Sequence, residues 1–303
     1  MRQPPAWGVR WGLLVVLTAC DARISGAPGE LLVADAPDGN DASAAPQDAA
    51  LGPWSTPAVV PQAATKAAED DVTLSSTTLE MIFAIEGTNG KDLFYSSRPS
   101  TTAPWSAAAP VPFNSATTSD ETPRLSADDL TLYFASGRAG NGNLDIYAVK
   151  RTALGNTTWG AAQPVTVVNT TTLVEKWFMP CGTDHYVMVQ STAAGDTDLV
   201  EGTLGGAAAA PIMALDSAQS ETGTFVSPDC LTIYFASTRV TPVQIFTSHR
   251  AAIDAPWATP SPVVFAIPGG NGNQEDPWIS SDGRTFAFVS DAAGTKDVYL
   301  STR

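Results

Sequence analysis

Five carboxylates recur along the 303-residue chain at intervals of about fifty residues: Asp70, Glu121, Glu175, Glu221 and Glu275. Each stands at or just before the start of a short β-forming run, with the register open by one residue. Carboxylates gathered at one mouth of a ring would form a negative funnel able to hold a cation or a basic segment of a partner. The plainer reading is that each caps its strand or pairs locally, for example with Arg124. Two of them with room for a water between would also suit an inverting glycosidase. All five follow the same repeat, however, and no two stand apart as an acid and a base should.

Other reactive side chains are sparse. His185 and His249 belong to no nucleophile elbow and to no metal-ligand spacing. No zinc, phosphate-loop or dinucleotide motif is present. Cys181 and Cys230 fall one position apart in equivalent turns of consecutive repeats. Either they form a disulfide, which an oxidising compartment permits, or they are two small buried apolar residues. No cofactor is implied beyond a cation in the central channel.

The elements that must position these groups are repeated units. Leu125 to Arg138 returns as Val226 to Arg239 and again, shortened, as Ile279 to Ser290. Looser copies begin at Leu74 and Met179. Each copy continues into a second short strand, such as Asp145-Ile146-Tyr147 or Asp297-Val298-Tyr299, and then into a Trp-led one: Trp105 to Phe113, Trp159 to Val168, Trp257 to Ile267. The slot from Ala207 to Leu215 lacks its Trp. Four period-two or apolar runs per fifty residues, divided by Gly, Asn, Asp and Pro turns, describe one propeller blade. The last copy ends at Arg303 without its fourth strand, whereas an orphan Trp-led strand, Trp54 to Val60, precedes the first. Moving that strand to the last blade completes five sheets and leaves no open edge. The expected fold is all-β, a five-bladed β-propeller of four antiparallel strands per blade, over residues 51–303.

The phrase Ser-x-Asp-Gly/Asp-x-Thr-x-Tyr-Phe-x-Ser-x-Arg, followed by Asp-Ile-Tyr, resembles the WD-like repeat of TolB-type β-propellers, and it covers nearly all of residues 54–303. The resemblance implies the fold; propellers host binding, scaffolding and catalysis alike, so function transfers poorly. The motif residues have structural duties. Asp128, Asp229 and Asp282 occupy the tight turn between the first two strands, where an Asp bonds its own turn. Arg138 and Arg239 end the second strand. Asp145, and in the last repeat Asp297, begin the third. Asp145 is placed to pair with Arg138 across the hairpin, although Gln244 stands opposite Arg239.

Arg2 and Arg10 followed by the apolar run Trp11 to Ala19 read as an export signal, too short for a membrane span. Leu17-Thr18-Ala19-Cys20 resembles the bacterial lipobox. That resemblance implies a signal over residues 1–19, lipidation of Cys20 and membrane attachment through the lipid alone. Residues 20–50, rich in Ala, Asp, Gly and Pro, form an acidic linker that cannot bury enough surface to order itself. Twenty-four Gly and 23 Pro, with only five Lys, disfavour a helical bundle, and a net charge of −15 excludes a non-specific nucleic-acid binder. The expectation is an extracytoplasmic module of the bacterial cell envelope, facing the periplasm or the exterior, that presents a rigid face to an envelope protein or glycan. A glycan-cleaving propeller that uses channel carboxylates is the alternative.

Overall fold

The computed structural model describes residues 51–192, 194–206, 208–267 and 272–303; the expected signal, Cys20 and the linker lie outside the described residues. Among the described residues, twenty strands make five four-stranded antiparallel sheets. The first blade comprises β2 (Glu69–Leu74), β3 (Glu80–Gly87), β4 (Gly90–Ser97) and β5 (Ala109–Pro110). The second comprises β6 (Asp120–Leu125), β7 (Thr131–Ser136), β8 (Asp145–Lys150) and β9 (Gln163–Pro164). The third runs through β10 (Glu175–Cys181), β11 (His185–Ser191), β12 (Thr197–Thr203) and β13 (Ala210–Pro211). The fourth runs through β14 (Glu221–Val226), β15 (Thr232–Ser237), β16 (Gln244–His249) and β17 (Ser261–Pro262). The fifth has β18 (Gln274–Ile279), β19 (Thr285–Ser290) and β20 (Asp297–Thr302), and β1 (Ala58–Val59) completes it.

The ring closes as its two chain ends demand. Ala58 stands opposite Leu300 and Val59 opposite Tyr299, antiparallel. The Ser55 amide donates to the Thr302 carbonyl at 2.8 Å and the Val60 amide to the Val298 carbonyl at 2.8 Å. The outer edge of the last sheet is thereby paired.

Each blade buries both faces against its neighbours. The second strands carry Phe83, Phe134, Met188, Phe235 and Phe288 in one equivalent slot, and all five side chains are buried. Removing such a side chain from water contributes about 2–3 kcal/mol. The turn into each second strand needs one residue with positive φ. Thr78, Asp129, Gly182, Cys230 and Gly283 take that role at 58 to 68°. This is why Gly or Asp follows the motif's Asp, since both tolerate the left-handed region better than most residues.

The outermost strands are shorter than the Trp-led runs suggest, only two residues each. Four of the five end on Pro: Pro110, Pro164, Pro211 and Pro262. Proline has no N–H to extend a ladder, which confines these runs to brief edge pairing. The leading Trp instead lies under an arginine from the end of the third strand. Arg98 covers Trp105 at 4.3 Å, Arg151 covers Trp159 at 4.8 Å, Arg250 covers Trp257 at 4.2 Å and Arg303 covers Trp54 at 4.0 Å. In the third blade, which has no Trp, the arginine slot holds Leu204. Neither member of the pair is present in that blade, as expected where each is the other's contact.

Candidate functional site: the two mouths of the central channel

The five innermost strands share one irregularity. Between the second and fifth residues of each, the pairing register shifts: Asp70/Thr73, Glu121/Arg124, Lys176/Met179, Thr222/Phe225 and Glu275/Trp278. The third residue takes positive φ, with Asp71 at 56°, Thr122 at 54°, Trp177 at 47°, Gly223 at 54° and Asp276 at 53°. A bulge of this kind re-aims side chains that a regular pleat would alternate. Here it turns Asp71, Trp177 and Asp276 toward one another. The Trp177 indole N–H donates to Asp276 Oδ1 at 2.8 Å and the Asp71 amide to Asp276 Oδ2 at 3.3 Å. At Gly223 a Cβ would stand 2.7 Å from the Asp276 backbone nitrogen, so this bulge position admits only glycine.

The expected ring of five carboxylates does not form. Asp70, Glu121 and Glu275 are second residues of their strands, but Glu175 and Glu221 are first residues. A shift of one residue sends a strand's side chain to the opposite face. Glu175 accepts from the Thr170 hydroxyl at 2.9 Å and from the Gln190 amide at 3.0 Å. Glu221 accepts from Arg239 at 2.9 Å and from the Ser217 and Ser237 hydroxyls. The second-residue positions of blades three and four are held by Lys176 and Thr222.

The three mouth carboxylates are held by lysines. Lys91 Nζ lies 2.7 Å from Asp70, 2.9 Å from Asp71 and 3.6 Å from Glu121, while Lys176 reaches Glu121 at 3.2 Å. Lys296 reaches Asp70 at 3.2 Å and also contacts Glu275. The chain has only five lysines, so three of the five in one cluster is the signal that sequence reading passed over. Lys91 and Lys296 come from hairpin segments outside the repeated phrase, where the repeat gives no reason to look. Burial pushes the Asp70 carboxyl up, but Lys91 and Lys296 outweigh it and hold the group down at about 2. Asp71 and Asp276, both fully enclosed, are pushed up, first by burial and then by neighbouring carboxylates. One oxygen from each of Asp70, Glu275 and Asp276 lies within 4.8 Å of the others, a spacing that suits a cation. The Lys296 ammonium, in contact with two of these groups, supplies that positive charge.

Below this cluster the channel is filled by Arg124, a fully buried side chain. Its Nε donates to the Thr224 carbonyl at 2.9 Å, and its Nη1 to the Val72 carbonyl at 2.8 Å and the Pro123 carbonyl at 3.1 Å. One side chain from the second blade thus ties the first and fourth together across the axis. Burial pulls its guanidinium down to about 10, opposed by Asp276 and Asp71.

The opposite mouth, at the far ends of the innermost strands, is open. A cavity of about 510 Å³ has Leu74, Met179, Phe225 and Trp278 among its apolar lining. Its rim carries Ser126, Asp129, Ser227, Asp229 and Asp282, with His249 on the wall.

The motif residues lie around this rim and between blades. Asp128, Asp229 and Asp282 each accept, on Oδ1, from the serine two residues earlier and from the amide two residues later. The Arg138–Asp145 pair does not form. Arg138 turns to Asp120 at 2.7 Å, and Asp145 accepts instead from the Asn141 amide at 3.1 Å. Arg239 makes the same choice with Glu221 at 2.9 Å. Asp297 is buried at the start of β20. Cys181 and Cys230 are joined by a disulfide, with Cα atoms 5.2 Å apart, which links the hairpin turns of blades three and four.

No family model matches the chain, and no curated protein does. Solved structures do. A putative TolB from Agrobacterium tumefaciens aligns at 15% identity and TM-score 0.50, over 77% of this chain and 76% of its own. An α-L-arabinofuranosidase from Podospora anserina, in complex with cellotriose, aligns at 12% identity and TM-score 0.58, over 83% and 96%. An endo-arabinase from Bacteroides thetaiotaomicron aligns at 9% identity and TM-score 0.55, over 83% and 98%. At these identities the likeness is one of architecture: the chain is a five-bladed β-propeller that shares its fold with these solved structures.

Proposed function

We propose that this chain is a binding module of the bacterial cell envelope, attached through a lipid on Cys20, which receives an envelope protein or glycan in the bowl at the far ends of its innermost strands. The observation that carries this reading is the contrast between the two mouths. One end is occupied by its own ion pairs and sealed by Arg124. The other is an open cavity with an apolar floor and a polar rim, the form of a recognition site.

Photo-crosslinkers placed at Ala127 or Thr232 on the bowl, and at Thr222 in the lysine-bearing mouth, test this in intact cells. Adducts from the two bowl positions, lost when Ser227→Trp fills the cavity, are the expected result. Adducts from Thr222 alone, or from none of the three, would refute it. The anchor is tested apart. Cys20→Ala should move the protein from the detergent phase to the aqueous phase, and an unchanged partition would remove the lipid from the account.

The hydrolase reading draws on Asp276, a carboxyl raised beside Asp70 and Glu275 as a general acid needs to be. Against it, Asp276 is enclosed and already accepts from Trp177 and from the Asp71 amide. Release of reducing ends from arabinan, abolished by Glu121→Gln or Glu275→Gln, would establish that reading over ours.

A further inference from the structure

Three carboxylates meet where blade three packs on blade four, one residue along the strand from Thr222 of the lysine-bearing mouth. Asp198 is the second residue of β12, Asp216 lies in the loop before β14, and Glu221 is the first residue of β14. One oxygen of each lies within 4.8 Å of the other two. Glu221 is fully buried, and its three partners, Ser217, Ser237 and Arg239, all use Oε1. Oε2 is enclosed without any partner, and so is Asp216 Oδ1. Glu69 and Glu175, the equivalent strand-start residues, also leave Oε2 enclosed without a partner, so what this junction adds is Asp216 Oδ1, a further carboxylate oxygen whose enclosure without donor or cation is costly.

The other blade junctions show that Asp216 is a departure from the repeat. The slot filled by Asp216 holds Asn114 and Asn169 at the two preceding junctions. Each of those amides clamps one backbone residue. Asn114 accepts from the Leu93 amide at 3.0 Å and donates to the Leu93 carbonyl at 2.9 Å. Asn169 does the same to Ile146 at 2.8 and 3.0 Å. An ionised Asp cannot donate, so Asp216 gives up that clamp and adds a negative charge. At the following junction the slots equivalent to Asp198 and Glu221 hold Gln244 and Gln274, whereas the other three junctions keep the acidic pair as Asp92 with Asp120, Asp145 with Glu175 and Asp297 with Glu69, so the third carboxylate, Asp216, is what sets this junction apart.

We infer that Asp198, Asp216 and Glu221 form a binding site for a divalent cation of the calcium class, joining blade three to blade four. The donors are all hard oxygens, which suit calcium rather than zinc or copper. Three oxygens within 4.8 Å of one another place a central ion no farther than about 2.8 Å from each, a few tenths of an ångström beyond calcium–oxygen distances of about 2.3–2.6 Å, which small side-chain shifts close. Asp198 and Asp216 are half-buried, which leaves water access to complete the coordination. Arg239 offsets one of the three charges and leaves two for the ion. The competing occupant is a proton. Asp198 is pushed up by burial and by the charges of Asp216 and Glu221.

Calorimetric titration of the full chain with CaCl2 near neutral pH, after chelator treatment, decides between them. One binding event is expected, together with a rise in Tm of about 5 °C at a hundredfold excess over Kd. Asp216→Asn restores the residue of the other junctions and should weaken calcium binding about tenfold or more while the protein stays folded. Glu221→Gln, which copies Gln274, should do the same, whereas Glu121→Gln in the channel mouth should leave the titration unchanged. Absence of both heat and a Tm change up to ~5 mM calcium, beyond the range of weak extracellular sites, would overturn the inference. So would an Asp216→Asn variant that binds as tightly as the parent, or a Tm that responds to acid but not to calcium.

Discussion

Removing residues 51–60 should unfold the whole ring rather than fray one edge. The magnitude comes from what the latch strand contributes. Trp54 lies 4.0 Å beneath the Arg303 guanidinium, with ring centroids 5.3 Å from Phe286 and 6.1 Å from Phe265. A half-buried Trp in such a setting is worth about 3 kcal/mol, at the lower edge of the range for Trp→Ala in a core. Val60 is buried and contributes about 2 kcal/mol. The four shortest hydrogen bonds at Ser55 and Val60, to Val298, Ser301 and Thr302, add about 1 kcal/mol each. The total, about 9 kcal/mol, is comparable with the whole stability of an ordinary domain. Trp54→Ala alone should therefore lower Tm by about 6 °C with a single cooperative transition, and the ten-residue deletion should show no native transition. Thermal unfolding followed by far-ultraviolet circular dichroism reads both. A deletion variant that melted cooperatively within about 2 °C of the parent would refute the reasoning, because the ring would then close without its latch.

Three further outcomes follow from the same contacts. Glu80→Ala leaves the buried Arg151 guanidinium, now held at 2.7 and 2.8 Å, without its carboxylate, and should cost about 3–5 kcal/mol by denaturant titration; a double Glu80→Leu/Arg151→Met variant should recover much of that loss. Gly223→Ala drives a Cβ into the Asp276 backbone and should cost about 3 kcal/mol, far more than Gly160→Ala, where the backbone is not left-handed and the nearest atom stands at an ordinary 3.5 Å. Thermal melts against pH should show stability rising as pH falls from neutral toward the ordinary carboxylate range, because Glu69, Asp71, Glu175 and Asp276 are raised chiefly by burial and bind protons more tightly folded than unfolded. Below about pH 4 the trend should reverse as Asp70, held at about 2 by its lysines against burial, is forced to protonate and its stabilisation is lost; a monotonic profile would contradict this assignment of charges.

The fold was legible because its information is redundant. The phrase around Tyr133-Phe134 recurs, and the missing fourth strand after Tyr299 matches the spare one at Ala58, so the two ends report on one another. The site was less legible because it depends on single residues of register. Glu175 and Glu221 satisfy the spacing of a carboxylate ring as well as Glu121 does, and only the bulged geometry separates first from second residues. Arg124 reads in the sequence as a partner for a strand-start carboxylate. In the folded protein its three bonded acceptors are backbone carbonyls, Val72, Pro123 and Thr224, two of them from other blades. A strand pattern does not predict which carbonyls line an axis. The short outer strands were foreseeable from Pro110, Pro164, Pro211 and Pro262, since each lacks the donor that would lengthen its ladder.

In a ring of repeats, a residue that recurs is explained by the repeat itself, and only departures require a local cause. Leu204 departs together with the lost Trp, and packing alone accounts for both. Lys176 and Thr222 depart at the lysine-bearing mouth and make it one-sided, with its carboxylates coming from the first, second and fifth blades. Asp216 departs from Asn114 and Asn169 at a cost in hydrogen bonding that no neighbouring side chain repays. The bowl differs from both, because the fifth residues of the innermost strands that line it, Met179, Phe225 and Trp278, are three different side chains, and Thr73 and Arg124 hold the same position in the other two blades. Structural equivalence would have allowed one residue type there five times over. Variation at equivalent positions facing an open cavity is what recognition of an asymmetric partner demands of a symmetric scaffold, and the sealed mouth, tied by its own lysines, is under no such demand.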